Sequence, residues 1–270
     1  MAESREDDFL LAYQDSCAGL TLLLLHGFPL NSNLWEPQMD DLRDVARVLA
    51  PDLRGHGLSD QGEEPYSVQL MADDCLGLLQ AVGVQEPVVL CGHSMGGYVA
   101  FDFYRRYPEW IAALILVATR AAPDSPEGRE DRDRMAQHAR KEGVPAIADD
   151  MLPKLLAPEN YENDHELVAY VRDMVESTSL NGLVGALQAM KERADSRPLL
   201  AEIDVPVLII SGEEDQLIPV SEAEEMRDAL PNAELVLIPG AGHLPNLEQP
   251  LEFNELLWDF LESLREEEEG

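Results

Sequence analysis

The chain has 270 residues and carries 53 Asp and Glu against 19 Lys and Arg, a formal net charge of −34. A surface of that sign repels nucleic acid and anionic membranes, which excludes both as partners. No run of 18 or more apolar residues exists, so no transmembrane helix or membrane insertion is expected. The acidic start Met1-Ala2-Glu3-Ser4-Arg5-Glu6-Asp7-Asp8 also lacks the apolar core of a secretion signal.

Residues 9–16 can form an edge strand or hairpin arm ahead of a turn at Ala18-Gly19. Leu20 to Leu25 is a continuous apolar run, the pattern of a strand buried on both faces of a parallel sheet, and it stops at His26-Gly27-Phe28-Pro29. Asn33 to Leu42 reads as a short helix and Ala46 to Ala50 as the next strand. The glycine-punctuated loop from Pro51 to Asp60 holds Asp52, Arg54, His56 and Ser59. Polar residues beside glycine turns usually cross-link their own backbone, and these are read that way rather than as catalysts. From Val68 to Val82, the residues Val68, Met71, Ala72, Cys75, Leu79 and Val82 recur at helical steps, and Gly83 ends the helix.

The strand Val88 to Cys91 then runs straight into Gly92-His93-Ser94-Met95-Gly96-Gly97, with a helix-compatible segment from Tyr98 to Tyr107 behind it. A strand-to-helix turn this sharp strains its central residue, and small neighbours are needed where the two backbones crowd it. Gly92 and Gly96 stand two residues to either side of Ser94. Ser94 Oγ would project above the carboxyl end of the strand, at the positive end of a helix, with the Met95 amide aimed at any oxyanion formed there. The competing reading is a glycine-rich turn that happens to carry a serine.

Ile111 to Ala118 is the next buried strand, and strands alternating with helices point to a parallel α/β sheet. Composition shifts after Thr119: residues 129–193 show helical patterns, often proline-punctuated, and no strand. Residues 124–193 therefore read as a helical cap inserted between two parts of an α/β core, 1–123 and 194–270. Met135, Met151, Leu152, Leu155, Leu156, Met174 and Met190 could shape a pocket under that cap or simply pack it down. Val205 to Ser211 is another strand, ending in Gly212-Glu213-Glu214-Asp215. Ser221-x-x-Glu224 reads as a capping box opening a helix over 221–230. Leu235 to Ile238 is the last strand, ending in Gly242-His243, and a closing helix puts Phe253, Leu256, Leu257, Phe260, Leu261 and Leu264 on one face. Glu266 to Glu269 form an acidic tail read as solvated. Cys17, Cys75 and Cys91 follow no metal-like spacing and are expected as buried free thiols, which suits a reducing, cytoplasmic setting.

Serine attacks only if a base takes its proton, and the base needs an acid to hold its tautomer. Of the six histidines, His243 lies in a glycine-rich loop just past the last strand, where a side chain can reach back over the sheet edge. His138 and His165 fall in polar cap helices, His26 and His56 in turns, and His93 adjoins Ser94 with its ring directed away. For the acid, Glu213, Glu214 and Asp215 compete in one loop; the shorter Asp side chain suits a rigid link.

Taken together, His26-Gly27-Phe28-Pro29, Asp52-x-Arg54-Gly55-x-Gly57-x-Ser59, Gly92-His93-Ser94-Met95-Gly96-Gly97, Gly212-x-x-Asp215 and Gly242-His243 resemble the α/β-hydrolase superfamily. The likeness is to its esterase, enol-lactonase and haloperoxidase-like branch. The resemblance implies a mostly parallel eight-stranded sheet, a helical lid after the sixth strand, and neither cofactor nor metal. It also implies a triad of Ser94, Asp215 and His243, with Glu214 in reserve for the acid. The oxyanion hole would be formed by the Phe28 and Met95 amides. The implied activity is hydrolysis of small to medium carboxylic esters, a small-molecule substrate; the motifs leave oligomeric state and acyl length open. Lactone opening, carbon–carbon bond hydrolysis and peroxide-dependent perhydrolysis use the same triad, and a ligand-sensing receptor on this scaffold is the rival from another class.

The lysine-poor acidic surface fits either salt adaptation or plain high solubility. Salt screens like-charge repulsion, so adaptation predicts a melting temperature that climbs between low and molar salt. A melting temperature that stays constant across that range would exclude it.

Overall fold

Eight strands pair in the order β1-β2-β4-β3-β5-β6-β7-β8. The computed structural model describes residues 2–6, 9–16, 19–62 and 65–269, with side chains from residue 9 to residue 265. Cys17 and the side chains of Glu266 to Glu269 lie outside that description.

The chain begins with β1 (Ala2–Glu6), β2 (Phe9–Asp15), β3 (Leu20–Leu25), α1 (Glu36–Leu42), β4 (Ala46–Pro51), α2 (Val68–Ala81), β5 (Val88–His93), α3 (Met95–Arg106) and β6 (Ile111–Val117). Five helices follow: α4 (Pro126–Glu142), α5 (Val144–Leu155), α6 (Pro158–Asn163), α7 (His165–Ser177) and α8 (Leu180–Glu192). The chain then returns through α9 (Arg197–Leu200) to β7 (Val207–Gly212), α10 (Val220–Ala229), β8 (Ala233–Ile238), α11 (Pro245–Glu248) and α12 (Pro250–Glu269).

Six strands are parallel: β4, β3, β5, β6, β7 and β8. The continuous apolar runs sit in the middle, and every residue of β5 and β7 is buried. Helices on both faces are what permit a strand such as Leu22 to Leu25 to be apolar without alternation. α1 packs against α12, and α2 against α3. Among the described residues no helix is long and apolar enough to cross a membrane.

Several boundaries differ from the sequence reading, among them the start of β8, at Ala233 rather than Leu235. The first residues form β1, which pairs antiparallel with β2, so the predicted arm at 9–16 is one limb of a hairpin whose other limb escaped notice. Its polar sequence hides it, because the pairing is made by backbone. Val207, not Val205, starts β7, with Pro206 just ahead of it. The predicted capping box is not formed. α10 starts at Val220 with Pro219 at the N-cap and no side-chain cap, which leaves Ser221 inside the first turn. Proline's fixed φ, −58° here, already sets the entry into the helix.

The five helices α4 to α8 occupy the stretch between the sixth and seventh strands, and all three lysines, Lys141, Lys154 and Lys191, fall within them. A buried ionic clasp joins the two ends of this insertion. Asp124 Oδ1 accepts from Arg120 and Arg193, both at 2.8 Å, and Oδ2 accepts from Arg132 at 3.0 Å. The Arg193 guanidinium lies 4.0 Å over the Tyr98 ring of α3 and also donates to the Ala122 carbonyl. Burial works to raise the Asp124 carboxyl, but Arg132 and Arg193 outweigh it and hold it below the usual carboxylate range. Replacing Asp124 with Asn leaves three guanidiniums around a neutral amide. Breaking a buried pair from one side costs about 3–5 kcal/mol, and the urea midpoint of Asp124→Asn is expected to fall accordingly. An unchanged midpoint would show that the clasp carries no stability.

Candidate active site

The carboxyl ends of parallel strands form the rim on which α/β sheets place ligands, and the loops after β3, β5, β7 and β8 meet there. Ser94 joins β5 to α3 and is half-buried. Its backbone has φ 50° and ψ −110°, a left-handed value that costs a non-glycine residue about 1–3 kcal/mol. The surroundings hold it in place. Ser94 N–H donates to Val117 O at 2.9 Å, while its carbonyl accepts from Gly97 N–H at 3.0 Å and from Thr119 Oγ1 at 2.8 Å.

The flanking glycines are there for space. A β-carbon on Gly92 would lie 2.5 Å from Gly96 O, and one on Gly96 would run into the Leu25 carbonyl and lie 2.9 Å from His26 O. α3 begins at Met95, three residues before the sequence pattern suggested, because Gly96 and Gly97 continue the helix instead of ending the turn.

His243 follows β8 and is 2% exposed. Its Nδ1–H donates to Asp215 Oδ2 at 2.7 Å, and its Nε2 accepts from Ser94 Oγ at 2.9 Å. Asp215 Oδ1 is occupied by the Leu217 and Ile218 amides at 2.8 and 3.0 Å, which aims Oδ2 at the imidazole. Burial opposes the charge on Asp215, but the His243 ring and those two amides together hold its carboxyl below the usual value. Glu213 and Glu214 are exposed at this loop, so of the three competing carboxylates Asp215 is the one joined to His243.

Phe28 and Met95 are both buried beside this group. The Gly27 backbone passes so close that a β-carbon there would lie 3.1 Å from Ser94 Cβ. Among the described residues, neither the Phe28 nor the Met95 amide is spent on a turn, loop or cap hydrogen bond. The Phe28-Pro29 peptide is cis.

His26, His56 and His93 do structural work. His26 donates through Nδ1 to Gly27 O at 2.9 Å and accepts Leu53 N–H at Nε2, 2.8 Å. His56 donates through Nδ1 to Arg54 O at 3.0 Å. His93 Nε2–H donates to the His243 carbonyl at 2.7 Å, the two rings meeting edge to face at 4.9 Å. Burial first, and the neighbouring His243 second, push His93 down to about 3, so it stays neutral. His138 faces Asp150 on the insertion surface. Asp52, as read from its loop, accepts from the Ser32 and Leu58 amides at 2.8 Å each and braces its own turn.

The sequence reading missed the polar ties between insertion and core. Thr178 Oγ1 donates to Pro29 O at 2.8 Å. Gln216 Nε2 donates to the Pro153 and Leu156 carbonyls, and Glu248 accepts from Ala157 and Asn160 at the start of α6 and from the His243 loop. No short-range pattern announces such partners. Among the described residues no group of three or more His, Cys, Asp or Glu is arranged to hold a metal ion.

The chain's relatives fall in one place. Residues 22–256 match the Alpha/beta hydrolase family. The fold superimposes with a TM-score of 0.92 on a thermophilic esterase from Thermogutta terrifontis solved with malate bound, at 41% identity over 95% of this chain and 94% of that one. An enol-lactonase from Burkholderia xenovorans LB400 matches at TM-score 0.89 and 30% identity, over 96% and 99% of the two chains. The 3-oxoadipate enol-lactonase 2 of Acinetobacter baylyi is 28% identical over 86% of this chain and 85% of its own.

The crowding at Gly96 is against main chain, which cannot swing aside. Gly96→Ala is therefore expected to cost about 1–3 kcal/mol of unfolding free energy by overpacking, read from urea unfolding. An unaltered midpoint would mean that the elbow is looser than described.

Proposed function

Because this chain belongs to the alpha/beta hydrolase family, we propose that it is a serine hydrolase cleaving carboxylic esters of small to medium acyl groups through an acyl-enzyme on Ser94. The observation that carries this reading is the continuous hydrogen-bonded line from Ser94 Oγ through His243 to Asp215, at 2.9 and 2.7 Å. His243 Nε2 removes the Ser94 proton as Oγ attacks the ester carbonyl, and Asp215 keeps the remaining proton on Nδ1 and balances the imidazolium. The negative oxygen of the tetrahedral intermediate is received by the Phe28 and Met95 amides, the latter at the positive end of α3. His243 then protonates the departing alkoxide. Water, deprotonated by the same nitrogen, attacks the acyl group and frees Ser94, and no step calls for a cofactor.

In this reading residues 124–193 form a cap over Ser94, and 1–123 with 194–270 form the core. The free thiols Cys75 and Cys91, both buried, suit a reducing cytoplasmic location. The enol-lactonases among the relatives give a second substrate class, the cyclic ester. The same attack serves there, with the leaving alkoxide still tethered to the acyl group.

Hydrolysis of a short-to-long series of chromogenic acyl esters, with lactones beside them, tests the proposal. One acyl length is expected to turn over fastest. Ser94→Ala is expected to lower kcat by about 10^4- to 10^6-fold and Asp215→Asn by about 10^4-fold. Ser94→Ala with parent-like turnover would overturn the mechanism, and lactones outpacing every linear ester would move the substrate class.

A further inference from the structure

We infer that Glu248 is a positioning residue through which the helical insertion holds His243 in register with Ser94. This inference rests on the serine-hydrolase reading above.

Glu248 ends α11, five residues beyond His243. One carboxylate oxygen, Oε1, accepts from the amides of Gly242 at 2.8 Å and Leu244 at 3.2 Å, the two residues that flank His243. The other, Oε2, accepts from the Ala157 amide at 2.7 Å and from Asn160 Nδ2 at 2.8 Å, both at the start of α6 in the insertion. A single side chain thus grips both neighbours of the proposed base with one atom and the insertion with the other.

The surrounding contacts serve the same joint. His243 N–H donates to Leu155 O at 3.0 Å, and Asn160 Nδ2 also donates to Gly240 O at 3.1 Å. The chain at Gly242 runs so close to the insertion that a β-carbon there would lie 2.7 Å from the Leu156 carbonyl carbon. From below, buried Asn246 donates to Leu34 O at 2.7 Å and to Gln38 Oε1 at 3.1 Å, fixing the other end of α11 to the core. With α11 anchored, Glu248 becomes the fixed point from which the His243 loop hangs.

The chemistry of the site demands a carboxylate. All four partners are N–H donors, and an ionised carboxylate can accept from four while donating to none. A glutamine offers one oxygen and one NH2 group, so in either orientation two N–H donors would face the NH2. The loss is not compensated by relaxation of the site alone, because Gly242, Leu244 and Ala157 donate from main chain. Displacement of the His243 loop would lengthen the 2.9 Å contact to Ser94 Oγ, and misplacement of a reacting group by about 1 Å costs on the order of 100-fold in rate. Substrate affinity need not follow, since Glu248 touches no group of the proposed oxyanion hole.

The test compares Glu248→Gln, Glu248→Asp and Asn160→Ala with the parent and Ser94→Ala on one chromogenic ester, at a temperature where the far-ultraviolet spectra agree. The rate at which a fluorophosphonate labels Ser94 is read in parallel. Glu248→Gln is expected to lower kcat about 10- to 100-fold with KM within about threefold of the parent. Glu248→Asp, which keeps the charge at shorter reach, should recover part of that loss. Asn160→Ala removes one of the two insertion donors to Glu248, together with the Asn160 contact to the Gly240 carbonyl, and should lower kcat by about threefold at unchanged KM. Folded Glu248→Gln with parent kcat and labelling rate would overturn the inference. Should that variant not fold, Asn160→Ala decides, and parent-like kcat there overturns it equally. A Ser94→Ala protein that turns over like the parent, or a parent that neither hydrolyses the ester nor takes the label, strikes the serine-hydrolase reading instead.

Discussion

Everything at the carboxyl edge of this sheet depends on one residue held where its backbone is strained. Ser94 has φ 50° without being glycine, and a position of that kind persists only when its neighbours over-determine it. The end of β6 and the turn after it supply the restraint twice, through Val117 O on the Ser94 amide and through Thr119 Oγ1 on its carbonyl. Ala118, between those two residues, is the other non-glycine residue with positive φ, at 45°. The kink at the end of β6 is therefore the counterpart of the kink at the end of β5, and it is what turns Thr119 back toward Ser94. The glycines follow from the same demand, since the Leu25 carbonyl of β3 stands where a side chain on residue 96 would go.

Around that fixed point the electrostatics are arranged by exclusion of charge. Three buried histidines lie in this zone besides His243. Burial lowers the pKa of each, and a second histidine adds to this for His26 and His93. A neutral His93 ring behind His243 matters because a cation at 4.9 Å would oppose the positive charge that the proposed base must take on. His93 also occupies its Nε2–H on the His243 carbonyl, so it braces the loop without competing for Ser94. Asp215 is the charged member, and its second oxygen is neutralised by two amides rather than by a cation.

The parts of this arrangement that were legible in the sequence are those encoded by local pattern. Leu20 to Leu25 reads as a doubly buried strand because its surroundings on both faces are helices. Gly92 and Gly96 read as an elbow because steric need and residue identity coincide. His243 was singled out by its place after the last strand. Asp215 is picked out from three neighbouring carboxylates by its short side chain and its place in the pattern of the resemblance, while the contacts that aim it, to the Leu217 and Ile218 amides, are visible only in the geometry. What stayed hidden depends on long separations. Asp124 and Arg193 meet across 69 positions, and Glu248 and Ala157 across 91, with nothing in either segment to mark its partner. β1 stayed hidden for a different reason: an antiparallel edge pairing made by main chain tolerates the polar string Ala2 to Glu6. Ser221 misled because Pro219 had already started the helix.

The placement of the three lysines has a practical side. Lys141, Lys154 and Lys191 belong to α4, α5 and α8, and the sheet with its flanking helices carries none. Arginine supplies the cations elsewhere, and it is inert toward reagents that seek a primary amine. Amine-directed dyes, cross-linkers and solid supports would therefore take hold of this protein, apart from its chain terminus, by the insertion alone. A molecule immobilised that way is gripped by the helices between the sixth and seventh strands while its sheet hangs free, an orientation set by composition before any linker is chosen.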